Sequence, residues 1–453
     1  MIVPQTSAAV IVSGSSGNYE ARYSSGTLIA SGSSASTVIT AGVNALSSGQ
    51  TMALIGEFVI SSQITISKAS IALNFSQASV TVTTGGTTIP FRVTASSITF
   101  YGGHEIQNTS PDPLNPAYTI TTDPSNNGGH ITGSGNPYYA FQTASSYTTF
   151  DGFDISGFGS SGSAGGCVVA SSGSSYMTIK NCYLHNMASR EYVTAINVLG
   201  GSGYHNVSHN IIDVSFTGFL SAGSGHNTIE YNEFKNWHVS LLGHAIYIDG
   251  SAGNDGYNEV ANNYFHDGTS GNAIYFKTVY NKAHDNLIKN LNTGNAPGIQ
   301  LFGELGSYTA SYNEIYNNRI ESCVLGLWIR TGSGRADGNL VYGNTFYNVQ
   351  NMIQLSSGSL QTNKIYYNDF YNVSGRHPFP AQSGGGSIQN TVVAYNYFDA
   401  VVPSADVSWL QSCSNTMIYQ NTFFPPNTNV TMSNYNYASV IDPTSLYYVA
   451  PRA

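Results

Sequence analysis

The sequence predicts an all-β chain. The fold is a right-handed, single-stranded parallel β-helix (a solenoid) with a short N-terminal capping helix and an irregular C-terminal cap. Two observations predict it. The first is a phrase, roughly Asn-x-apolar-x-x-Asn-x-apolar, as in Asn227-Thr-Ile-Glu-Tyr-Asn232-Glu-Phe and Asn258-Glu-Val-Ala-Asn-Asn263-Tyr-Phe. It places an asparagine at 181, 210, 232, 263, 286, 318, 344, 368, 396 and 421, at spacings of 22 to 32 residues. Such a period suits one coil per repeat with loops of varying length. Stacked asparagine amides, each both donor and acceptor, can hydrogen-bond to one another along the axis and satisfy buried turns. The second observation is a short alternating run before each phrase: Ala245-Ile-Tyr-Ile-Asp249, Ala273-Ile-Tyr-Phe-Lys277, Gly298-Ile-Gln-Leu-Phe302, Gly326-Leu-Trp-Ile-Arg330 and Met352-Ile-Gln-Leu-Ser356. Period-two alternation separates two faces, and parallel stacking then makes inward columns such as Ile246, Ile274, Ile299, Leu327 and Ile353. These runs lack a helical period, and sandwiches do not repeat side-chain identities in this way.

These repeats resemble those of the pectin-lyase-like superfamily of right-handed β-helices, which includes polysaccharide lyases, glycoside hydrolases and viral tailspikes. The resemblance spans residues 36 to 424. Its opening is Ser36-Thr-Val-Ile-Thr-Ala-Gly-Val-Asn-Ala-Leu46, followed by Gly56-Glu-Phe-Val-Ile-Ser-Ser-Gln-Ile-Thr-Ile66, similar to the superfamily's helix followed by first coils. It implies the fold and leaves the reaction open, because this scaffold hosts many chemistries.

In chain order, residues 1–50 read as an N-terminal cap segment, 51–424 as the β-helix and 425–453 as a Tyr-rich capping tail. The stretch from Ser36 to Leu46 is expected to be helical, with Ser36 or Thr37 as N-cap, covering the first coil's open end. Ser97-Ile-Thr-Phe-Tyr-Gly102 already carries the repeat pattern, with glycine at the later ladder position and Asp151 there in the next coil. A 36-residue interruption, 104–139, holds five prolines and reads as a structureless flap or partner-binding loop, with surface decoration as the plain alternative. A shorter interruption spans Ser374 to Gly386.

Charge is sparse, with 15 Lys and Arg against 24 Asp and Glu, a net of −9, so no basic stripe exists for nucleic acid. The start of the chain has no basic n-region or apolar h-region, so no signal peptide is read there, and no apolar stretch is long enough for a membrane span. Either a leader has been removed, or the protein leaves the cytosol without one; an extracellular or virion-surface location is expected. The four cysteines (167, 182, 323 and 413) have no metal spacing. A Cys167–Cys182 bridge is conceivable, but free buried thiols are the favoured reading. No clustered aspartates suggest calcium, and no metal or cofactor is expected.

The chemistry is expected on the outward face of the aligned strands. One outward column reads Asn197, Leu220, Tyr247, Tyr275, Gln300, Trp328, Gln354; the next reads Leu199, Ala222, Asp249, Lys277, Phe302, Arg330, Ser356. In so uncharged a chain, Asp249, Lys277 and Arg330 beside Tyr247, Tyr275 and Trp328 suit an extended glycan, whose ring faces stack while its polar groups pair. The plain alternative is a surface ion pair between Asp249 and Lys277 with ordinary aromatic contacts. The candidate catalytic residues are Asp249, Lys277, Glu304 and Arg330; Tyr247, Tyr275, Gln300 and Trp328 are candidate substrate-binding residues. A lyase would use Lys277 or Arg330 against a uronate, and a hydrolase would use Asp249 with Glu304. The polygalacturonase signatures (Asn-Thr-Asp, Asp-Asp, Gly-His-Gly, Arg-Ile-Lys) and those of pectate lyases (Trp-Ile-Asp-His, Arg-x-Pro-x-x-Arg) are absent. Gly243-His-Ala245 is a partial echo only, and His244 reads as structural. The competing class is a non-enzymatic component of a virion or cell-surface appendage, as a homo-oligomer or in assembly with other surface proteins.

Overall fold

The computed structural model describes residues 8–109, 117–122, 128–159, 165–238, 243–250, 256–291, 296–304, 306, 308–356, 358–373, 381–382, 387–399, 413–414, 417–424 and 440–441. The fold is a right-handed parallel β-helix, and among the described residues it is all-β apart from one helix. Two compact units divide the chain, Met1–Lys235 and Asn236–Ala453.

In the first unit the strand Val10–Ser15 runs antiparallel to Asn18–Tyr23 and parallel to Thr51–Ile60, so the N-terminal segment joins the coil sheet. The helix α1, Ala35–Ala45, is capped two or three residues earlier than the sequence suggests. Its N-cap is Ser34, whose hydroxyl accepts from the Thr37 N–H at 3.3 Å. Ser34 wins because its extended backbone (φ −99°, ψ 109°) aims the hydroxyl at the free amide, while Ser36 is already helical. Gly42 seats the helix: a β-carbon there would lie 2.8 Å from Met52 Sδ and 3.0 Å from Val12 Cγ2.

The 104–139 interruption is not structureless. His104–Asn108 and Tyr118–Thr122 pair as an antiparallel hairpin. The coil resumes at His130, where His130–Gly133 pairs in parallel with the strands ending at Val82 and Ser156. The segment 374–386 lies outside the described residues, apart from Ala381–Gln382. So does the C-terminal cap, apart from Val440–Ile441, which pairs in parallel with Met417–Ile418.

In the second unit the strands Ile246–Asp249, Ile274–Phe276, Pro297–Gly303, Leu325–Thr331 and Asn351–Ser356 stack in parallel with equivalent residues opposed. Ile246, Ile274, Ile299, Leu327 and Ile353 form the inward column, all with no exposed surface.

The asparagine ladder is internal. Each of Asn263, Asn286, Asn318, Asn344, Asn368 and Asn396 donates both its backbone N–H and its side-chain amide to the carboxamide oxygen of the next. The distances run from 2.9 to 3.2 Å, ending at Asn421. In the first unit Asn210 bonds Asn232 in the same way. Asn181 is not a rung. The register opposes Lys180 to Ser208, which puts Cys182 level with Asn210, and it is Cys182 N–H that donates to Asn210 Oδ1 at 2.9 Å. Asn181 sits one place earlier, at φ 56°, in the left-handed corner that precedes every rung. Asparagine is the side chain besides glycine most at ease there, so the two positions look alike in sequence. The register also removes Gly102 and Asp151 from the ladder: Asp151 opposes both Tyr101 and Lys180, so Gly102 lies one place and Asp151 two places before the rung position. A second ladder, at the other end of the short strand, joins Asn258, Asn281, Asn313, Asn339 and Asn363.

Cys167, Cys182 and Cys323 are buried free thiols. Cys167 Sγ lies 3.5 Å from Met187 Sδ, and Cys182 Sγ 3.1 Å from the Lys180 carbonyl, so the conceivable 167–182 bridge does not form. The side chain of Cys413 lies outside the described residues.

Candidate functional site

The outward columns of the second unit have the register that alternation predicts: Tyr247, Tyr275, Gln300, Trp328 and Gln354 in one, with Phe302, Arg330 and Ser356 aligned in the next. Outward does not mean exposed, however. Tyr275, Lys277, Gln300 and Gln354 are all buried to nine-tenths or more. Side chains on this face cover one another and cradle Lys277 rather than standing open to solvent.

Lys277 sits at its centre. The ammonium lies 5.1 Å from the Tyr247 ring centroid, 5.3 Å from that of Tyr275 and 5.9 Å from that of Tyr308. The first two rings stack on each other at 5.0 Å. Such a cage suits a desolvated cation, because ring faces offer negative potential without competing for protons. Its ion-pair partner is Glu304, from just past the strand one coil on, and not Asp249 as the Asp249–Lys277 reading expects. Side-chain reach decides this: Glu304 follows Gly303 at the strand end, and Asp249 stands beside Lys277 without closing a bond. Burial, and then the Glu304 charge, push the Asp249 carboxyl above its ordinary value; Lys277 and the Gly250 N–H oppose the rise. Burial likewise pushes the Tyr247 and Tyr275 phenols up.

Arg330 forms the other half. Its guanidinium carbon lies 3.9 Å from the Phe302 ring centroid and 4.4 Å from that of Trp328, held between two aromatic faces. Trp328 is itself pinned by its indole N–H, which donates to Ser356 Oγ at 2.6 Å.

His244, read as structural from its place near a corner, lines this site. It packs edge-on against Tyr275 at 4.8 Å and Tyr247 at 5.1 Å. Burial, with Lys277 next, pushes its imidazole down to about 3. Its Nδ1 accepts from the Asn272 N–H at 3.0 Å, while the Asn272 side chain donates to Gln300 Oε1 at 2.9 Å. Gly271 makes this crossing feasible: at φ 64°, a β-carbon there would stand 1.5 Å from the Gly243 carbonyl oxygen and 2.8 Å from His244 Nδ1. A lone histidine at a corner carries no sequence pattern that would have marked it. Tyr308, beyond the strand end, is equally invisible to column reading.

The tyrosines elsewhere behave differently. Tyr257, Tyr280 and Tyr312 are exposed, but they stack face to face at 5.0 and 5.3 Å in left-handed corners. Their faces are occupied by one another, so tyrosine abundance by itself is no sign of a sugar surface.

Asp249 offers a direct check. A carboxyl raised in the fold contributes stability that is present below its ordinary value of 3.8 and lost as pH rises through the raised one. Asp249→Asn should therefore raise the melting temperature at neutral pH, with the gain vanishing on acidification below that ordinary value. A difference that is constant across this range would show that the carboxyl is not strained.

A family model described as a right handed beta helix region matches residues 194–423, just over half of the chain. No curated protein matches the sequence. Among solved structures, a PL6 family polysaccharide lyase from Pseudopedobacter saltans is similar over 89% of this chain and 96% of its own, at 14% identity and a TM-score of 0.53. A tailspike protein mutant of E. coli bacteriophage HK620, in complex with a pentasaccharide, is similar over 93% of this chain and 77% of its own, at 12% identity and a TM-score of 0.47. The catalytic domain of a GH87 alpha-1,3-glucanase, in complex with nigerose, is similar over 96% of this chain and 69% of its own, at 12% identity and a TM-score of 0.45. At these identities the likeness is one of fold.

Proposed function

The chain belongs to the right-handed β-helix family, and from that premise we propose that it binds an extended polysaccharide along the cradle of Tyr247, Asp249, Tyr275, Lys277, Gln300, Trp328 and Arg330. The observation that carries this reading is the pair of aromatic-walled cations, Lys277 among three tyrosines and Arg330 between Phe302 and Trp328. Flat apolar walls with fixed polar groups between them fit a chain whose sugar rings alternate hydrophobic faces with hydroxyl edges. The four coils span about 15 Å, room for roughly three sugar units. The PL6 lyase that shares the fold is consistent with a glycan partner.

Cleavage is the natural extension. Asp249, raised by burial and by Glu304, is suited to give a proton to a glycosidic oxygen. Glu304, anchored by Lys277, stands as the second carboxylate a hydrolase needs. A lyase would instead set Arg330 against a uronate carboxylate. The protein works at a cell or virion surface on this reading, and a non-enzymatic adhesive role keeps the cradle and drops the chemistry.

The test is a glycan panel read for binding, reducing ends and unsaturated products. Trp328→Ala should weaken binding about tenfold or more, since a stacked indole supplies much contact area. Asp249→Asn should leave binding intact and stop release of reducing ends. Binding by Trp328→Ala equal to that of the parent would place the glycan elsewhere.

A further inference from the structure

The hairpin of His104–Asn108 and Tyr118–Thr122, in the first unit, is seated at its base by one histidine. The His104 N–H donates to the Gly152 carbonyl at 3.0 Å, and the residue is 3% exposed. The seat is tight: a β-carbon at Gly129 would lie 2.9 Å from His104 Cδ2, and one at Gly152 2.5 Å from the His104 carbonyl oxygen. His104 Nε2 lies 2.9 Å from the Gly128 carbonyl oxygen. A carbonyl only accepts, so Nε2 carries the hydrogen and Nδ1 keeps the lone pair. That Nδ1 is buried without a partner among the described residues. Protonation would turn it into a buried, charged donor with no acceptor, so the seat fits the neutral ring alone.

The neighbours sharpen this. His130 packs edge-on to His104 at 5.0 Å, and its Nδ1 lies 3.3 Å from Asp154 Oδ2. His185, stacked on Tyr183 at 4.0 Å, holds the other Asp154 oxygen through Nε2 at 2.8 Å. Burial opposes it, but these two hydrogen bonds hold the Asp154 carboxyl well below the usual carboxylate range. The Asp154 bond raises the His130 imidazole against burial. Burial, then His130, push His104 down, against Asp154 and the Gly128 carbonyl. Glu105 is exposed on the hairpin's other face, and Asp151, beside Gly152, is paired with Lys180 at 3.1 Å.

At the hairpin's far end Ile106 is buried and Tyr118 half-buried; burial, then the Glu233 charge and Tyr231, push the Tyr118 phenol up. Glu233 and Lys235 flank the buried Phe234, so they stand on the outward face. The hairpin therefore reaches from His130 at its base to Glu233.

We propose that this hairpin is an acid-released strap: a proton on His104 unseats its base, and the two strands lift from the outward face between His130 and Glu233. A histidine lowered in the fold contributes stability that is present above its ordinary value of 6.5 and lost as pH falls through the lowered one. His130, raised, has the opposite sign and loses its contribution only as pH rises. Asp154 loses its contribution only below its ordinary value of 3.8. Release in mild acid therefore belongs to His104.

The test is hydrogen exchange read by mass spectrometry on the full chain, corrected for the intrinsic rate. Peptides over 104–108 and 118–122 should exchange about tenfold or more faster at about pH 5 than at about pH 7. The strands Asn206–Ser208 and Ile246–Asp249 should not change, because burial holds the nearby His205 and His244 down to about 4 and about 3. In His104→Gln, whose amide donates to Gly128 but does not titrate, the hairpin should stay protected at both pH values. Nitrogen NMR of the parent's His104 ring gives a reading independent of how that variant folds: the ring should be neutral with the hydrogen on Nε2, and should titrate together with the exchange rise. No rise in the parent, a rise shared equally by the control strands, an equal rise in His104→Gln, or a ring that titrates apart from the rise overturns the strap.

Discussion

Asn286→Leu is expected to destabilise the protein by about 3 kcal/mol or more, read as a lowered denaturation midpoint. Asn286 is 2% exposed. Its side-chain oxygen accepts from both Asn263 donors, and its amide donates to Val260 O at 2.8 Å and Asn318 Oδ1 at 2.9 Å. Leucine matches the volume but answers none of these groups. Asn263 then loses two bonds to that oxygen and the Val260 carbonyl loses its bond from the amide, at about 1–3 kcal/mol for each buried group affected. In a solenoid, a failed rung also weakens the interface between successive coils, where stability resides. Asn181→Gly is the matched control. It removes one bond to Asp151 and suits the left-handed corner, so it should stay within about 1 kcal/mol of the parent. If both variants behave alike, the ladder is not what holds these coils.

That contrast also marks where sequence reading succeeds. Columns were legible because alternation over a strand has an exact period, and one identity repeated per coil fixes the register. Tyr247, Tyr275, Gln300 and Trp328 align as their runs predict. Corners were less legible, since asparagine serves both the left-handed corner and the rung beside it, as Asn181 and Asn210 show. The second ladder lies in the same phrase, at Asn258 and Asn281, and is masked in sequence by the more regular later asparagine. Contacts formed by side chains beyond strand ends were not legible at all. Glu304 reaches back to Lys277, Tyr308 covers it, and His244 enters from a corner. None of these obeys a period, because loop conformation and side-chain reach set them. The hairpin of 104–122 was hidden for a related reason: prolines read as irregular chain, although its two strands pair with each other.

Ile274 and Tyr275 are adjacent in sequence, and replacing each by alanine is expected to give opposite phenotypes. Ile274 is fully buried between Ile246 and Ile299, so Ile274→Ala should cost about 2–5 kcal/mol through lost burial and a residual cavity. Glycan affinity measured well below the melting transition should be nearly unchanged, because the side chain never reaches the outer face. Tyr275→Ala should do the reverse. The ring is one wall of the Lys277 cage and stacks on Tyr247 at 5.0 Å, so its loss should weaken binding about tenfold while costing less stability than the isoleucine. Parity sets this contrast: a strand sends successive side chains to opposite faces, and a slip by one residue would exchange every inward column with every outward one. If Tyr275→Ala proves the more destabilising of the two, and Ile274→Ala the one that loses glycan, then this strand's faces are exchanged in solution, and the core and cradle assignments fall together.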